Sequence, residues 1–136
     1  GGLAVAADVE GMSAAVGALR EAGIKVSLFI DPTAEEIAAS HRAGADTVEL
    51  HTGDYCNARP EHREAELRRI VDGAARAADL GLEVAAGHGL HYHNVGPVAA
   101  IPEIVELNIG HSIISRAVFV GLDAAVRQML EAMGER

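Results

Sequence analysis

Three short runs in this chain end in a histidine with glycine close by: "VELHTG" (48–53), "AAGHGL" (85–90) and "LNIGHS" (107–112). Histidine exchanges protons near neutral pH. Glycine lets the backbone turn sharply and come close to a ligand. Glu49 stands two residues before His51, so in a strand both share one face, opposite Val48 and Leu50. A carboxylate inside an internal strand is costly unless it is paired or used. Each feature has a plain reading: Glu49 in an ion pair, and Gly87-His88-Gly89 as an ordinary turn. Their recurrence at three successive strand ends favours function over coincidence. If a helix begins at Gly110-His111, its free N–H groups make an anion site. Arg116 would add a cation there, against its simpler reading as a surface arginine.

His91 and His93 complete the crowded stretch "AAGHGLHYHNVG" (85–96). As a metal pair they would need further ligands in tetrahedral array, and no cysteine pair or HExxH spacing supplies them. They read as hydrogen-bonding residues of the loop, and neither metal nor cofactor is expected. Cys56 lacks the surroundings of a nucleophile. No GxGxxG or GxxxxGK[ST] fingerprint is present.

Such residues need a scaffold, and the hydrophobic pattern describes one. Met12, Ala15, Val16 and Leu19 fall on one helical face, with Gly23 as a terminator. "IKVSLFID" (24–31) reads as a strand broken by Asp31-Pro32, after which Thr33 and Glu36 form a capping box. That helix ends at Gly44, and "DTVEL" (46–50) is the next strand. Residues 52–60 read as a loop. A long helix follows from Pro60, with Leu67, Ile70, Val71, Ala74 and Ala78 on one face. "LEVAAG" (82–87) and "VELNIG" (105–110) are the third and fourth strands, separated by a short helical piece around 97–101. The last segment places Leu122, Ala125, Val126, Met129, Leu130 and Met133 at helical spacing. A helix and then four β-α units imply an α/β fold with parallel strands and right-handed crossovers, part of a barrel or a small open sheet. Function in such folds collects at the carboxyl ends of the strands.

At 136 residues the chain suits one domain, residues 1–136. Aromatic residues are 3% and Trp is absent, so the core must be aliphatic. The net charge of −9 argues against nucleic acid and anionic membranes as partners and requires an anionic ligand to be held locally. A single cysteine precludes an intramolecular disulfide and points to the cytoplasm. No apolar run is long enough to span a bilayer. The opening Gly1-Gly2, without Met, reads as the interior of a longer parent sequence.

"AGIKVSLFID", "VELHTGDY", "AAGHGLHYHNV" and "ELNIGHSIISRAVFVGL", in this order, resemble the pyridoxine 5′-phosphate synthase family of vitamin B6 biosynthesis. "GHGLHYHNV" together with "ELNIGH" is highly specific. The resemblance covers essentially the whole chain but only the carboxyl-terminal half of the family. It implies half of a TIM (β/α)₈ barrel, about four strands with flanking helices, in an enzyme that forms homo-oligomers. The implied reaction condenses 1-deoxy-D-xylulose 5-phosphate with 3-amino-2-oxopropyl phosphate to pyridoxine 5′-phosphate, phosphate and water. By the same resemblance His88 is the proton donor, Glu49 stabilises the transition state, Gly89 contacts substrate, and Gly110 with His111 holds phosphate. The implied partners are phosphorylated small molecules, inorganic phosphate, and either the amino-terminal half or a second copy of the chain. The alternative is a catalytically inactive half-barrel module that keeps only phosphate binding.

Overall fold

Leu28 and Ile30, Val48 and Leu50, and Val84 and Ala86 are apolar residues at a spacing of two, and all six are buried in one core. They belong to the strands β1 (Ser27–Ile30), β2 (Thr47–His51) and β3 (Glu83–Gly87), which a fourth, β4 (Ile104–Asn108), joins. The strands lie in the order β1-β2-β3-β4, every pair parallel. The structure, a computed structural model, describes residues 1–134.

The helices are α1 (Val9–Glu21), α2 (Ala34–Ala43), α3 (Gly53–Asn57), α4 (Pro60–Asp79), α5 (Val95–Ala99), α6 (His111–Val120) and α7 (Leu122–Met133). A 3₁₀ turn at Val5–Ala7 precedes them. α4 packs on β2 and β3, and α2 packs on β1 and α1. Parallel strands in sequential order, with helices in the connections, are consistent with half of a TIM barrel. Leu3 extends this ladder: it bridges to Ile30 in parallel, and its N–H donates to the Phe29 carbonyl at 2.8 Å. Among the described residues no helix is long and apolar enough to cross a membrane.

Several local expectations shift. Residues 52–60 are not all loop, because α3 occupies Gly53–Asn57. α4 buries Ile70, Gly73, Ala74 and Ala77, while Val71 is exposed and Ala78 faces solvent. The buried stripe is turned because Gly73 seats against Pro32: a Cβ there would lie 3.2 Å from the Pro32 side chain. The capping box is half formed. Thr33 Oγ1 accepts from the Glu36 N–H at 3.3 Å, but the Thr33 N–H is already given to the Asp31 carbonyl at 2.7 Å. The Glu36 carboxylate accepts instead from the Ala6 N–H at 3.2 Å. The last segment keeps its expected helix, α7 from Leu122 to Met133, which Gly121 at φ +83° separates from α6.

β4 departs from regular pairing. Val84 pairs with Ile104, but Ala85 pairs with Glu106, so Val105 is an extra residue without a partner. Such a bulge re-aims the side chains that follow it. Leu107 therefore stands opposite Ala86, and Asn108 stands opposite Gly87.

Candidate active site

Strand alternation puts Phe29, Glu49, His51, Ala85 and Gly87 on the face turned away from Leu28, Val48, Leu50 and Val84. At the carboxyl ends of the strands this face opens into a cleft of about 670 Å³. Phe29, Glu49, His88, Gly89, His91, Asn108, Gly110, His111 and Ser112 are among its walls. All five site residues expected from the sequence thus meet in one place. None of the lining residues is Lys or Arg.

Glu49 is held by a residue that sequence reasoning missed. The Asn108 amide donates to Glu49 Oε2 at 2.8 Å. The contact exists because the bulge aims Asn108 inward. Gly87 makes the rest of the room: a Cβ there would meet Glu49 Oε1 and sit 2.9 Å from the Asn108 carbonyl oxygen. The glycine before His88 thus gives way to the protein's own carboxylate. The glycine after it does likewise, since a Cβ on Gly89 would lie 2.9 Å from that of Cys56.

His88 has φ +79°, the one positive value at a non-glycine residue among those described. Gly89 follows at φ +84°. Two left-handed residues in succession carry the chain off β3, and the His88 ring enters a small aromatic cluster. Its centroid is 4.8 Å from that of His51 and 6.3 Å from that of Phe29, and the Phe29 and His51 rings meet edge-on at 5.2 Å. His51 Nδ1 lies 3.2 Å from Asp31 Oδ1, which orients the ring from behind. Burial pushes the His51 imidazole below its ordinary value, assisted by the amino terminus and His88 and opposed by Asp31 and Asp54. Burial pushes the Asp31 carboxyl up, but the Gly2 N–H, the amino terminus and His51 outweigh it, and the net direction is down. In sequence Asp31 read only as the residue that, with Pro32, breaks the first strand.

α6 begins at His111 with Gly110 as its N-cap, without a side-chain cap and without an acid in its first turn. The N–H groups of Gly110, His111, Ser112 and Ile113 have no acceptor within the helix, the usual state of a first turn. They carry the positive end of the helix dipole, and Gly110, His111 and Ser112 line the cleft. The Ser112 hydroxyl donates to the Leu90 carbonyl at 2.8 Å and ties α6 to the loop after β3. Arg116 lies elsewhere: it donates to the Gln128 side chain at 2.9 Å on α7. His91 and His93 act in their loop. The His91 N–H donates to Asn94 Oδ1 at 2.7 Å, and the His93 N–H donates to His91 Nδ1 at 3.2 Å.

Parallel strands presenting a carboxylate, a histidine in a left-handed turn and a bare helix N-terminus at one end form the kind of arrangement from which barrel-type α/β enzymes build their sites. The comparisons sharpen this class to a family. The family model described as pyridoxal phosphate biosynthesis protein PdxJ matches residues 1–135, and the chain belongs to that family. It is 57% identical over 135 residues to a pyridoxine 5′-phosphate synthase of Synechococcus sp. (strain JA-2-3B'a(2-13)), covering 98% of this chain and 56% of that protein. It is 55% identical over 130 residues to the enzyme of the same name from Idiomarina loihiensis and 56% identical over 130 to that of Photobacterium profundum. Each of those matches covers 95% of this chain and 54% of the relative. The chain spans about half the length of the curated relatives it matches.

Proposed function

We propose that this chain is the carboxyl-terminal half of a pyridoxine 5′-phosphate synthase. In this reading it condenses 1-deoxy-D-xylulose 5-phosphate with 3-amino-2-oxopropyl phosphate once the rest of the barrel is present. The observation that carries the reading is the convergence of Glu49, His88, Gly89, Gly110 and His111 on one cleft. His88 delivers a proton to a leaving oxygen, so that water or phosphate departs as a neutral or less charged species. Glu49, fixed by Asn108, stabilises positive charge as it develops on the condensing amine-bearing carbon skeleton. The backbone N–H groups at Gly110 and His111 receive the phosphate, and Gly89 contacts the substrate beside it.

The wall beyond β4 supports a second element of the proposal. Val105 is 68% exposed and α6 buries none of its residues. An uncovered strand edge with apolar neighbours invites a partner. The partner is the amino-terminal half or a second copy, and the completed enzyme is a homo-oligomer in the cytoplasm. Alone, the chain keeps phosphate binding without turnover.

Steady-state kinetics on the chain reconstituted with an amino-terminal half test the assignment. His88→Asn lowers turnover by roughly 10²–10⁴-fold, the size of a general acid–base contribution, with little change in KM. His91→Asn and His93→Asn cost far less. Near-native turnover in His88→Asn, with loss in either of the others, sinks the assignment.

A further inference from the structure

A left-handed histidine does not hold itself. For an L-residue this conformation is unfavourable, and it persists only where the surroundings over-determine it. The backbone around His88 converges on one side chain. Thr52 Oγ1 lies 2.6 Å from the His88 carbonyl oxygen and 2.8 Å from that of Gly87. The Thr52 N–H also donates to the Gly87 carbonyl, at 2.9 Å. Thr52 is fully buried. Its single hydroxyl proton serves two carbonyls: the Gly87 carbonyl also has the Thr52 N–H, whereas the hydroxyl is the nearest donor to the His88 carbonyl.

Thr52 is also the N-cap residue of α3, and threonine there ordinarily caps the helix with its hydroxyl. α3 has no side-chain cap. The hydroxyl is diverted from its local task to the turn that carries His88, 36 residues away in sequence. Cys56, one turn further along α3, closes the other side, with Sγ 3.6 Å from the same His88 carbonyl.

We infer that Thr52 is a positioning residue for His88: its hydroxyl locks the Gly87-His88-Gly89 turn in the left-handed form that presents the imidazole to the cleft. The inference rests on the reading of His88 as the proton donor, but its first test does not.

That test is a double-mutant cycle on the chain itself, read as urea midpoints. Thr52→Val keeps the shape and removes the hydroxyl. Glycine adopts the left-handed form freely, so His88→Gly removes the need for the lock. If the hydroxyl serves the turn, Thr52→Val lowers the midpoint in the parent chain and much less in the His88→Gly background. Equal losses in both backgrounds overturn the inference, because they show a packing role indifferent to residue 88. If Thr52→Val fails to fold while the double variant folds, the inference stands; if both fail, it is overturned. The second arm uses the reconstituted enzyme. Thr52→Val is expected to lower kcat by about 10²-fold, the effect of misplacing a reacting group by an ångström, with KM almost unchanged, and Thr52→Ser restores it. Thr52→Val at parental kcat overturns the inference. Should His88→Asn retain turnover, the functional reading falls while the cycle still decides the role of Thr52.

Discussion

The backbone at His88 makes a prediction about stability whose sign is the reverse of the ordinary one. At φ +79°, a residue with a Cβ is strained by about 1–2 kcal/mol, which glycine escapes. Glycine in turn loses about 0.5–1 kcal/mol through the greater freedom of its unfolded chain. His88→Gly should therefore be more stable than His88→Ala by roughly 0.5–1 kcal/mol. Both variants lack the ring, so the contacts with His51 and Phe29 cancel in the comparison. Asparagine, which tolerates the left-handed region, should fall between them. In an ordinary extended or helical site the order runs the other way, with alanine above glycine. The assay is urea unfolding at fixed protein concentration with a common m-value; in heat the gap is about 2–4 °C for a chain of this size. An alanine variant as stable as the glycine variant would falsify the strained geometry and, with it, the reason for a lock. All three variants lose the imidazole, so turnover of the completed enzyme falls whichever is the most stable.

The lowered pKa of His51 makes the folded chain prefer its neutral form. Its contribution to stability is complete above the ordinary value of 6.5 and is lost as pH falls through the lowered folded value. Urea midpoints should therefore drop as pH falls from about 6.5 to the lowered folded value and level off below it, and His51→Gln should flatten the slope in that window; an unchanged slope refutes the assignment. Gly87→Ala drives a methyl group against Glu49 and the Asn108 carbonyl, and should cost about 1–3 kcal/mol by overpacking. A fully stable Gly87→Ala chain would contradict the close approach. Inorganic phosphate should bind weakly and shift the amide resonances of Gly89, Gly110, His111 and Ser112, since backbone donors are present without nearby cations. A titration that moves none of them counts against the anion site. Light scattering at micromolar concentration should show more than one chain per particle, because the β4 edge is open; a monomeric mass would be the contrary result.

The strand ends were legible in the sequence because period-two alternation and the position of each histidine depend on few residues. Val48 and Leu50 are buried, and Glu49 faces the cleft, as alternation requires. Asn108 was not legible. Counted from Ile104 by twos, it falls on the helix side, and only the bulge at Val105 turns it towards Glu49. Thr52 looked like any loop threonine, because its partners are 35 and 36 residues distant. The stripe on α4 was misjudged around Val71 and Ala78 because its direction is set by Pro32 against Gly73, a contact that helical periodicity does not contain. The glycines flanking His88 were read as room for substrate. Their missing side chains are accounted for by Glu49 and Cys56, which only the folded chain brings near.

Because Val105 takes no partner in the ladder, β4 carries one residue of slack. Deleting it leaves Ile104, Glu106, Leu107 and Asn108 opposite the residues they already face, now in a regular strand. Deleting Leu107 instead lets the slack be drawn in from the wrong end. Val105 would then pair with Ala85, and the Glu106 carboxylate would be pressed towards the helices, where it has no partner. The strand therefore tolerates a change of length upstream of the cleft and resists one among the residues that line it. Its fourth wall is elastic at one point and stiff two residues later.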